Sequence, residues 1–182
     1  MTELETPRLR LRRFVPTDLP DLVEYRRDPL VARWQSWTPD WSMADAERFL
    51  RADEEHAVGD PDGWVQIAVT HRASGALLGD VAVHTMSDQP DTYEVGVTLD
   101  RANQGRGFAT EALGALVDHL FADLGAHRVW AQADERNDAV HHLLGRLGFR
   151  HEGTAVEADW FGDEWTTVRT FAQLAREWTV RR

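Results

Sequence analysis

The spacing of apolar and polar residues along the chain predicts seven β-strands and four helices. Strands are expected where apolar residues alternate with polar ones or run continuously between turn residues, and helices where apolar residues recur every three or four positions. Thr17, Ser42 and Asn137 precede helical runs as capping candidates. The order of elements predicts an α+β protein, a mixed α/β arrangement with one main sheet. The predicted strands cover residues 6–14, 64–70, 77–84, 92–99, 129–133, 154–159 and 165–174, and the predicted helices cover residues 17–27, 42–56, 108–124 and 137–147.

The predicted strand over residues 92–99 divides its side chains by face. Glu94, Gly96 and Thr98 fall on one face, and the opposite face is apolar throughout. Side chains alternate along a strand, so the apolar face is expected to join the core. The carboxylate of Glu94 is then expected on the other side of the sheet. The apolar set is Tyr93, Val95, Val97 and Leu99.

The length of 182 residues predicts one domain over residues 1–182, since neither a repeat nor a long linker divides the chain. Apolar runs stay well short of the roughly 20 residues that a membrane helix needs, so no membrane partner is expected. The acidic start, Met1 to Glu5, differs from a secretion signal. We therefore expect a cytoplasmic protein.

Two missing residue types restrict the chemistry. Without cysteine the chain can form neither disulfides nor a thiolate nucleophile, and without lysine it can form no P-loop lysine site or Schiff base. The net charge of −11 disfavours nucleic acid as a partner and is compatible with a cationic substrate, although it also serves solubility. His119 and Asp123 share a helical face without a third ligand nearby in sequence, so no metal site is expected.

A glycine-rich loop between a strand and the longest helix is the clearest candidate site. Glycines there allow backbone N–H groups to face an anion, and the start of a helix adds partial positive charge, which together suit a pyrophosphate. A dinucleotide would require a third glycine where the chain has Thr110. It would also require a tight turn directly after the strand and more βα units than the chain contains. The loop is Gln104, Gly105, Arg106, Gly107, Phe108, Ala109 and Thr110.

The loop resembles the phosphate motif Q/R-x-x-G-x-G/A of the GNAT superfamily of acyl-CoA N-acyltransferases, through Gln104, Gly107 and Ala109. The resemblance extends to TPRLRLRRFVPTD near the start, YEVGVTLDRANQGRGFATEAL, ADERNDAVHHLLGRLGF and a late Arg-Glu-Trp. These stretches are similar to the branch of ribosomal-protein-alanine acetyltransferases. The resemblance implies a mostly antiparallel, splayed sheet of about seven strands with about four helices. Coenzyme A would lie between the strand ending at Leu99 and the strand starting near Arg128.

The resemblance also implies an activity and a binding site. The protein would transfer an acetyl group from acetyl-CoA directly to an amine-bearing acceptor, either a protein N-terminus or a small cationic amine. Backbone N–H groups of residues 104–110 would hold the pyrophosphate, and the backbone of Val97 and Leu99 would pair with the pantetheine arm. Asn137 would contact CoA where the sheet opens, although helix capping explains an Asn there equally well. Arg106 is either a phosphate ligand or a solvated side chain.

Glu94 is the candidate catalytic base by the same resemblance, because acyl transfer needs a neutral amine. Trp34, Trp37 and Trp41 lie in a segment that overhangs the acceptor pocket in this family, where aromatic faces receive a cation or an apolar group. Packing within the protein is the alternative explanation for these tryptophans.

The positions of the general acid depart from the family pattern. Many relatives carry Tyr or Ser on the second long helix, where this chain has Val140 and Leu144, and neither can donate a proton. His141 is adjacent but is expected to point elsewhere on the helix. Water could then protonate the departing thiolate. A CoA-binding protein with little or no catalysis is the alternative function, and a homodimer is compatible with these features.

Overall fold

The computed structural model describes residues 3–61 and 63–180, and its central feature is a sheet of eight strands. Six α-helices and two 3₁₀ turns, Pro16–Asp18 and Arg101–Asn103, complete the described part of the chain. The strands are β1 (Leu4–Glu5), β2 (Leu9–Arg12), β3 (Trp64–His71), β4 (Leu77–Thr85), β5 (Thr92–Leu99), β6 (Arg128–Asp134), β7 (Arg150–Phe161) and β8 (Glu164–Leu174). The helices are α1 (Leu19–Arg26), α2 (Pro29–Ala32), α3 (Met43–Glu54), α4 (Phe108–Ala122), α5 (Asp138–Leu147) and α6 (Ala175–Val180).

The sheet has the order β1-β2-β3-β4-β5-β6-β8-β7, and its neighbours are antiparallel except for the parallel pair β5 and β6. In the described structure, these two strands pair only where residues 92–94 meet residues 128–130. Beyond Glu94 and Trp130 they separate, and the sheet opens into a V. The mostly antiparallel, splayed α+β architecture is thereby confirmed.

The two faces of the sheet bury separate apolar clusters. On one face, α4 and α5 pack against the apolar side chains of β5, including Tyr93 and Val95, together with Leu116 of α4 and Leu144 of α5. On the other face, α1 and α3 form a second cluster that reaches Ala68 of β3. Because Tyr93, Val95 and Leu99 are buried in the first cluster, the alternation predicted for this strand is confirmed.

The sequence prediction undercounted the elements. The strand predicted over residues 6–14 is shortened to β2 and preceded by the unpredicted β1, because the hydroxyl of Thr6 accepts the backbone N–H of Leu9 at 2.9 Å and turns the chain between them. Helix α2 has four residues, with Pro29 in its first turn and the Asp28 side chain as its cap. Helix α6 follows β8 directly. Periodicity cannot detect elements as short as β1 and α2, because they hold too few residues to repeat a pattern.

The helix-start predictions differ in outcome. Ser42 caps α3, and its hydroxyl accepts the N–H of Asp45 at 3.2 Å. Asn137 caps α5 by accepting the N–H of Val140 at 3.4 Å. Thr17 is not the cap that was predicted. It lies inside the 3₁₀ turn before α1, and the Asp18 carboxylate holds that turn by accepting the N–H of Val15 at 2.9 Å. None of the described helices is both long and apolar enough to cross a membrane.

Candidate active site

A cleft of about 560 Å³ occupies the gap between β5 and β6. One wall is the free part of β5, and the other is the end of β6 with the first turns of α5. Buried Leu113 of α4 and Leu143 of α5 form part of its apolar lining. Across the mouth lie α2 and the segment after it, through Trp34 and Gln35. The cleft is therefore apolar inside and open at the edge of a β-strand.

The free edge of β5 offers unpaired backbone groups to this cleft. The carbonyl of Thr92 accepts the N–H of Met86, and the N–H of Asp100 binds the carbonyl of Leu78, so even-numbered residues face β4. Main-chain groups alternate along a strand, so those of the odd-numbered residues face the gap. Beyond Glu94 these residues are Val95, Val97 and Leu99, and the Leu99 carbonyl accepts the Gln104 side chain at 2.9 Å.

The glycine loop closes one end of the cleft. Gly105 and Gly107 have φ values of +72° and +79°, which residues other than glycine rarely adopt. Helix α4 begins at Phe108, directly after Gly107. The first backbone N–H groups of α4 have no partner within the helix, so this end is suited to an anion. The loop residues that line the cleft are Gln104, Gly105, Gly107, Ala109 and Thr110.

Two residues of the loop have other surroundings. The Phe108 side chain is 3% exposed and belongs to the core. The Arg106 guanidinium lies 5.0 Å from the centre of the Phe108 ring and donates to the Asn103 side chain at 3.3 Å. Neither side chain lines the cleft, so any part of these residues in binding an anion would come from their backbone.

Helix α5 forms the second wall, with Asn137, Val140, His142 and Leu144 among its lining residues. His141 instead stacks on Phe171 of β8 at 5.3 Å, which confirms that it points away from the cleft. Burial of its ring lowers the pKa of His141. Neither of the two positions usual for a general acid carries a proton donor.

Glu94 lies at the point where β5 and β6 separate, on the face opposite α4. Its side chain is 14% exposed, and burial raises its pKa from 4.5 to about 7. Its cross-strand neighbour on β4 is His84, whose Nδ1 lies 3.9 Å from the carboxylate, is buried and has no hydrogen-bond partner. The His84 ring stacks on Trp64 at 5.0 Å. A carboxylate that titrates near neutral pH is suited to proton transfer.

A second cavity of about 220 Å³ lies on the face of the sheet that carries Glu94. Trp37, Trp64 and buried Asp80 contribute to its lining. It shares Gln35 and residues 96–98 of β5 with the first cavity. Glu94 lines neither of these two cavities; it lies two residues before Gly96, on the face of the sheet that carries the second cavity.

The three tryptophans proposed for the acceptor site have different surroundings. Trp34 lines the cleft between β5 and β6, and Trp37 lines the second cavity. Trp41 lines neither of these two cavities, and its ring packs edge-on against Trp37 at 6.4 Å. The guanidinium of buried Arg26 lies over Trp37 at 4.1 Å and over Trp41 at 4.3 Å. Arg26 of the protein itself therefore occupies one face of Trp37 and of Trp41, two of the three tryptophans that were expected to receive a cation or an apolar group.

Sequence reasoning missed several residues of the site. His84 and Trp64 lie on strands to which the sequence analysis assigned no functional residue. Gln35 directly follows Trp34, which was a predicted acceptor contact, but was not itself predicted. The signal for His84 would have been its register with Glu94, which depends on how β4 pairs with β5. A single sequence does not contain this register.

These features together define a class of protein. An exposed strand edge, an anion-binding helix start and an apolar cleft can hold a long, extended cofactor arm with a phosphate end. A buried carboxylate next to a second cavity can remove a proton from a second substrate. Such a site brings two substrates together for group transfer, as in an acyltransferase.

Comparison with known proteins identifies the family. Residues 8–150 match the model of the acetyltransferase (GNAT) domain. The chain is 26% identical to an uncharacterized N-acetyltransferase, p20, of Bacillus licheniformis, over 98% of this chain and 99% of the relative. It is also 26% identical to the ribosomal protein uS5-alanine N-acetyltransferase of Escherichia coli strain K12, over 88% of this chain and 95% of the relative.

The fold is similar to that of a solved acetyltransferase. The spermidine N-acetyltransferase from Vibrio cholerae, in complex with CoA and spermine, aligns with a TM-score of 0.81 at 20% identity, over 96% of this chain and 99% of that chain. The chain belongs to the GNAT acetyltransferases and is an acetyl-CoA-dependent N-acetyltransferase. Its relatives include ribosomal-protein acetyltransferases, so the resemblance of the sequence to that branch is confirmed.

Proposed function

We propose that the protein, acting as a single domain, transfers the acetyl group of acetyl-CoA directly to a primary amine while both substrates are bound. The observation that carries this proposal is that residues 96–98 of β5 line both cavities and follow buried Glu94 by two to four positions. One cavity suits the thioester arm and the other suits the amine. Acetyl is the donor group we propose, since the family acts on acetyl-CoA.

The cleft fits CoA in three respects. The free edge of β5 supports pairing of the pantetheine amides with the backbone of Val97 and the N–H of Leu99. The start of α4 supports binding of the pyrophosphate by backbone N–H groups of residues 104–110, including those of Arg106 and Phe108. Asn137, which caps α5 and lines the cleft, is placed to contact the arm as well.

For the acceptor we propose a primary amine that enters through the second cavity. Trp37 and Trp64 would contact the part of the acceptor next to the amine, Trp34 would contact it near the cleft, and Trp41 would act by supporting Trp37. Because Arg26 already lies over the rings of Trp37 and Trp41, Glu94 rather than a cation–π contact with these rings would select the amine. Named relatives act on a ribosomal protein N-terminus or on spermidine, and both kinds of acceptor fit this description.

Two groups of the chain take part in the proposed reaction, the Glu94 carboxylate and a backbone N–H of β5. Glu94 accepts a proton from the amine, either directly or through a water molecule, and the neutral nitrogen attacks the thioester carbonyl. A backbone N–H on the free edge of β5 stabilises the negative charge on the carbonyl oxygen. The nitrogen loses its second proton to water as the C–S bond breaks, and the thiolate takes a proton from water, because Val140 and Leu144 cannot donate one. Glu94 releases its proton to solvent.

A CoA-binding protein with little catalysis is the second candidate, and the missing acid on α5 favours it. A thiol-release assay distinguishes the two. Purified protein is mixed with acetyl-CoA and, separately, with spermidine, a peptide with an N-terminal alanine and a peptide with an N-terminal serine. We expect release of CoA above the hydrolysis background with at least one amine, and the acetylated product by mass spectrometry. CoA binding without turnover across a wide panel of amines would support the alternative. A cytoplasmic location and a homodimer stay predictions.

A further inference from the structure

Arg8 lies outside the cleft, against the back of the glycine loop. Its Nη1 donates to the carbonyl of Arg106 at 3.0 Å, and its guanidinium carbon lies 4.5 Å from the centre of the Phe108 ring. Its Nη2 lies 3.4 Å from the position that a Cβ would take on Gly107. One side chain from the turn between β1 and β2 thus contacts the residues on both sides of Gly107, in a loop about a hundred positions further along the chain.

The contact with Arg106 fixes the direction of the next backbone N–H. The carbonyl of Arg106 and the N–H of Gly107 belong to one peptide group, and in a trans peptide they point in opposite directions. All described peptide bonds are trans. Because Arg8 holds the carbonyl on its own side, the N–H of Gly107 points away from Arg8. Gly107 lines the cleft and Arg8 does not, so this N–H points towards the cleft side.

Arg8 is itself held by Glu111, which lies in the first turn of α4. The backbone N–H and the Nε of Arg8 donate to the two carboxylate oxygens at 2.8 and 2.6 Å, and the Thr6 hydroxyl donates to one of them at 2.5 Å. A negative charge so near the start of a helix would repel a second anion bound there. The guanidinium of Arg8 offsets that charge locally while it holds the loop.

We propose that Thr6, Arg8 and Glu111 form a latch that orients the peptide group between Arg106 and Gly107 for the pyrophosphate of CoA. Arg8 is a positioning residue in this latch and acts through the backbone of Gly107. The inference deepens the proposed function and rests on it. It also gives a role to the TPRLRLRRF segment, which the resemblance noted without assigning it a task.

The test compares Arg8→Gln with a matched control, Arg10→Gln. Both arginines are about half exposed, with 45% and 47% of their side chains accessible, and both pair with glutamates. Arg10 pairs with Glu3 and Glu5, away from the loop. Calorimetry measures the affinity of each protein for CoA and for pantetheine, which has the arm and thiol but no phosphate. Arg8→Gln should weaken CoA binding by about tenfold, since a hydrogen bond to a charged group is worth at least that much. Its affinity for pantetheine should equal that of the wild type, and Arg10→Gln should bind both ligands normally.

Glu111→Gln and the double variant separate the two parts of the latch. Glu111→Gln removes the negative charge and leaves an oxygen that can accept from Arg8, so it should weaken CoA binding less than Arg8→Gln does. In the double variant Glu111 no longer leaves an unpaired negative charge near the loop, so its CoA affinity should be no lower than that of Arg8→Gln alone. Such non-additivity is the signature of two residues that act as one unit.

Three results would overturn the latch. Equal CoA affinity of wild type and folded Arg8→Gln would overturn this inference alone, as would an equal loss of CoA and pantetheine affinity. A wild-type protein that does not bind CoA would overturn the proposed function and the latch together. Melting temperatures identify variants that fail to fold, and the latch is then judged from Glu111→Gln and the double variant.

Discussion

At the residue scale, the proposed chemistry depends on the burial of Glu94. The surroundings raise its pKa to about 7, so the base form becomes the major form only above neutral pH. We expect kcat/KM of the wild type to rise with pH through about 7 and then level off. Glu94→Gln should lower turnover by about 10²- to 10⁴-fold, the usual contribution of a positioned base, and should lack this rise.

Asp88→Asn is the matched control for that prediction. Asp88 is an exposed carboxylate before the same strand, so its loss should leave the rate and its pH dependence unchanged. CoA affinity, measured by calorimetry, should remain normal in both variants. Wild-type rates in Glu94→Gln at neutral pH, under conditions where chemistry limits turnover, would remove Glu94 from the catalytic role.

The same burial predicts a cost in stability. The ordinary pKa of 4.5 applies to the unfolded chain and about 7 to the folded one, so between these values the folded state binds more protons. The free energy of unfolding should therefore fall as pH rises from 4.5 to 7, and at higher pH ionised Glu94 costs on the order of 3 kcal/mol. Glu94→Gln should be more stable than the wild type at about pH 8.5, and the difference should shrink at about pH 4.5. Urea unfolding at both pH values measures this, and a constant difference would contradict it.

At the element scale, the proposed CoA site depends on the start of α4. Gly107→Asp would place a carboxylate next to Arg8, whose Nη2 lies 3.4 Å from the Cβ position of residue 107. Because the added negative charge would compete with the Arg106 carbonyl for Arg8 and disfavour an anion at the loop, we expect CoA affinity to fall by more than tenfold, or about 1.4 kcal/mol. Gly125→Asp is the control, because Gly125 follows the other end of α4 and also has a positive φ, +70°, with open space around it. Both variants should pay about 1–2 kcal/mol for the strained backbone. Calorimetry that finds equal CoA affinity in the two folded variants would contradict the assignment of the loop.

The residues of α5 should affect how the reaction rate depends on pH. Val140 and Leu144 offer no proton to the thiolate, so the rate should show no descending limb near the pKa of a tyrosine, about 10. Val140→Tyr is the better variant for introducing an acid, because Leu144 is 1% exposed and a larger side chain there would overpack the core by about 1–3 kcal/mol. Val140→Tyr should create such a limb. A descending limb at any pH in the wild type that disappears in His142→Ala would show that α5 supplies the acid from this position instead.

At the scale of the whole molecule, the two cavities predict the kinetic order. Both are lined by residues 96–98 of β5, and the proposed direct transfer needs both substrates to be bound together. Double-reciprocal plots of initial rates should therefore intersect for acetyl-CoA and the amine. Parallel lines, or protein that gains an acetyl mass from acetyl-CoA alone at a residue of the site, would contradict direct transfer.

The sequence determined those parts of the molecule that depend on near neighbours. Alternation located the long strands, helical spacing located α3, α4 and α5, and Ser42 and Asn137 were identified as caps because a cap acts within three residues. The glycine loop was identified because positive φ and a free helix start are local properties. The resemblance to GNAT enzymes added the open sheet, which the described structure confirms.

The tertiary structure decided what depends on residues far apart in the chain. Arg26 lies over Trp37 and Trp41. His84 lies beside Glu94 because β4 and β5 pair in one register. Arg8 contacts Arg106 of the glycine loop, 98 positions further along the chain. The pKa of Glu94 also belongs here, because it reflects how much water the packed elements exclude. Turns and caps are stabilised by residues close together in the sequence, so local patterns predict them. Register, burial and long-range contacts exist only once the sheet has assembled.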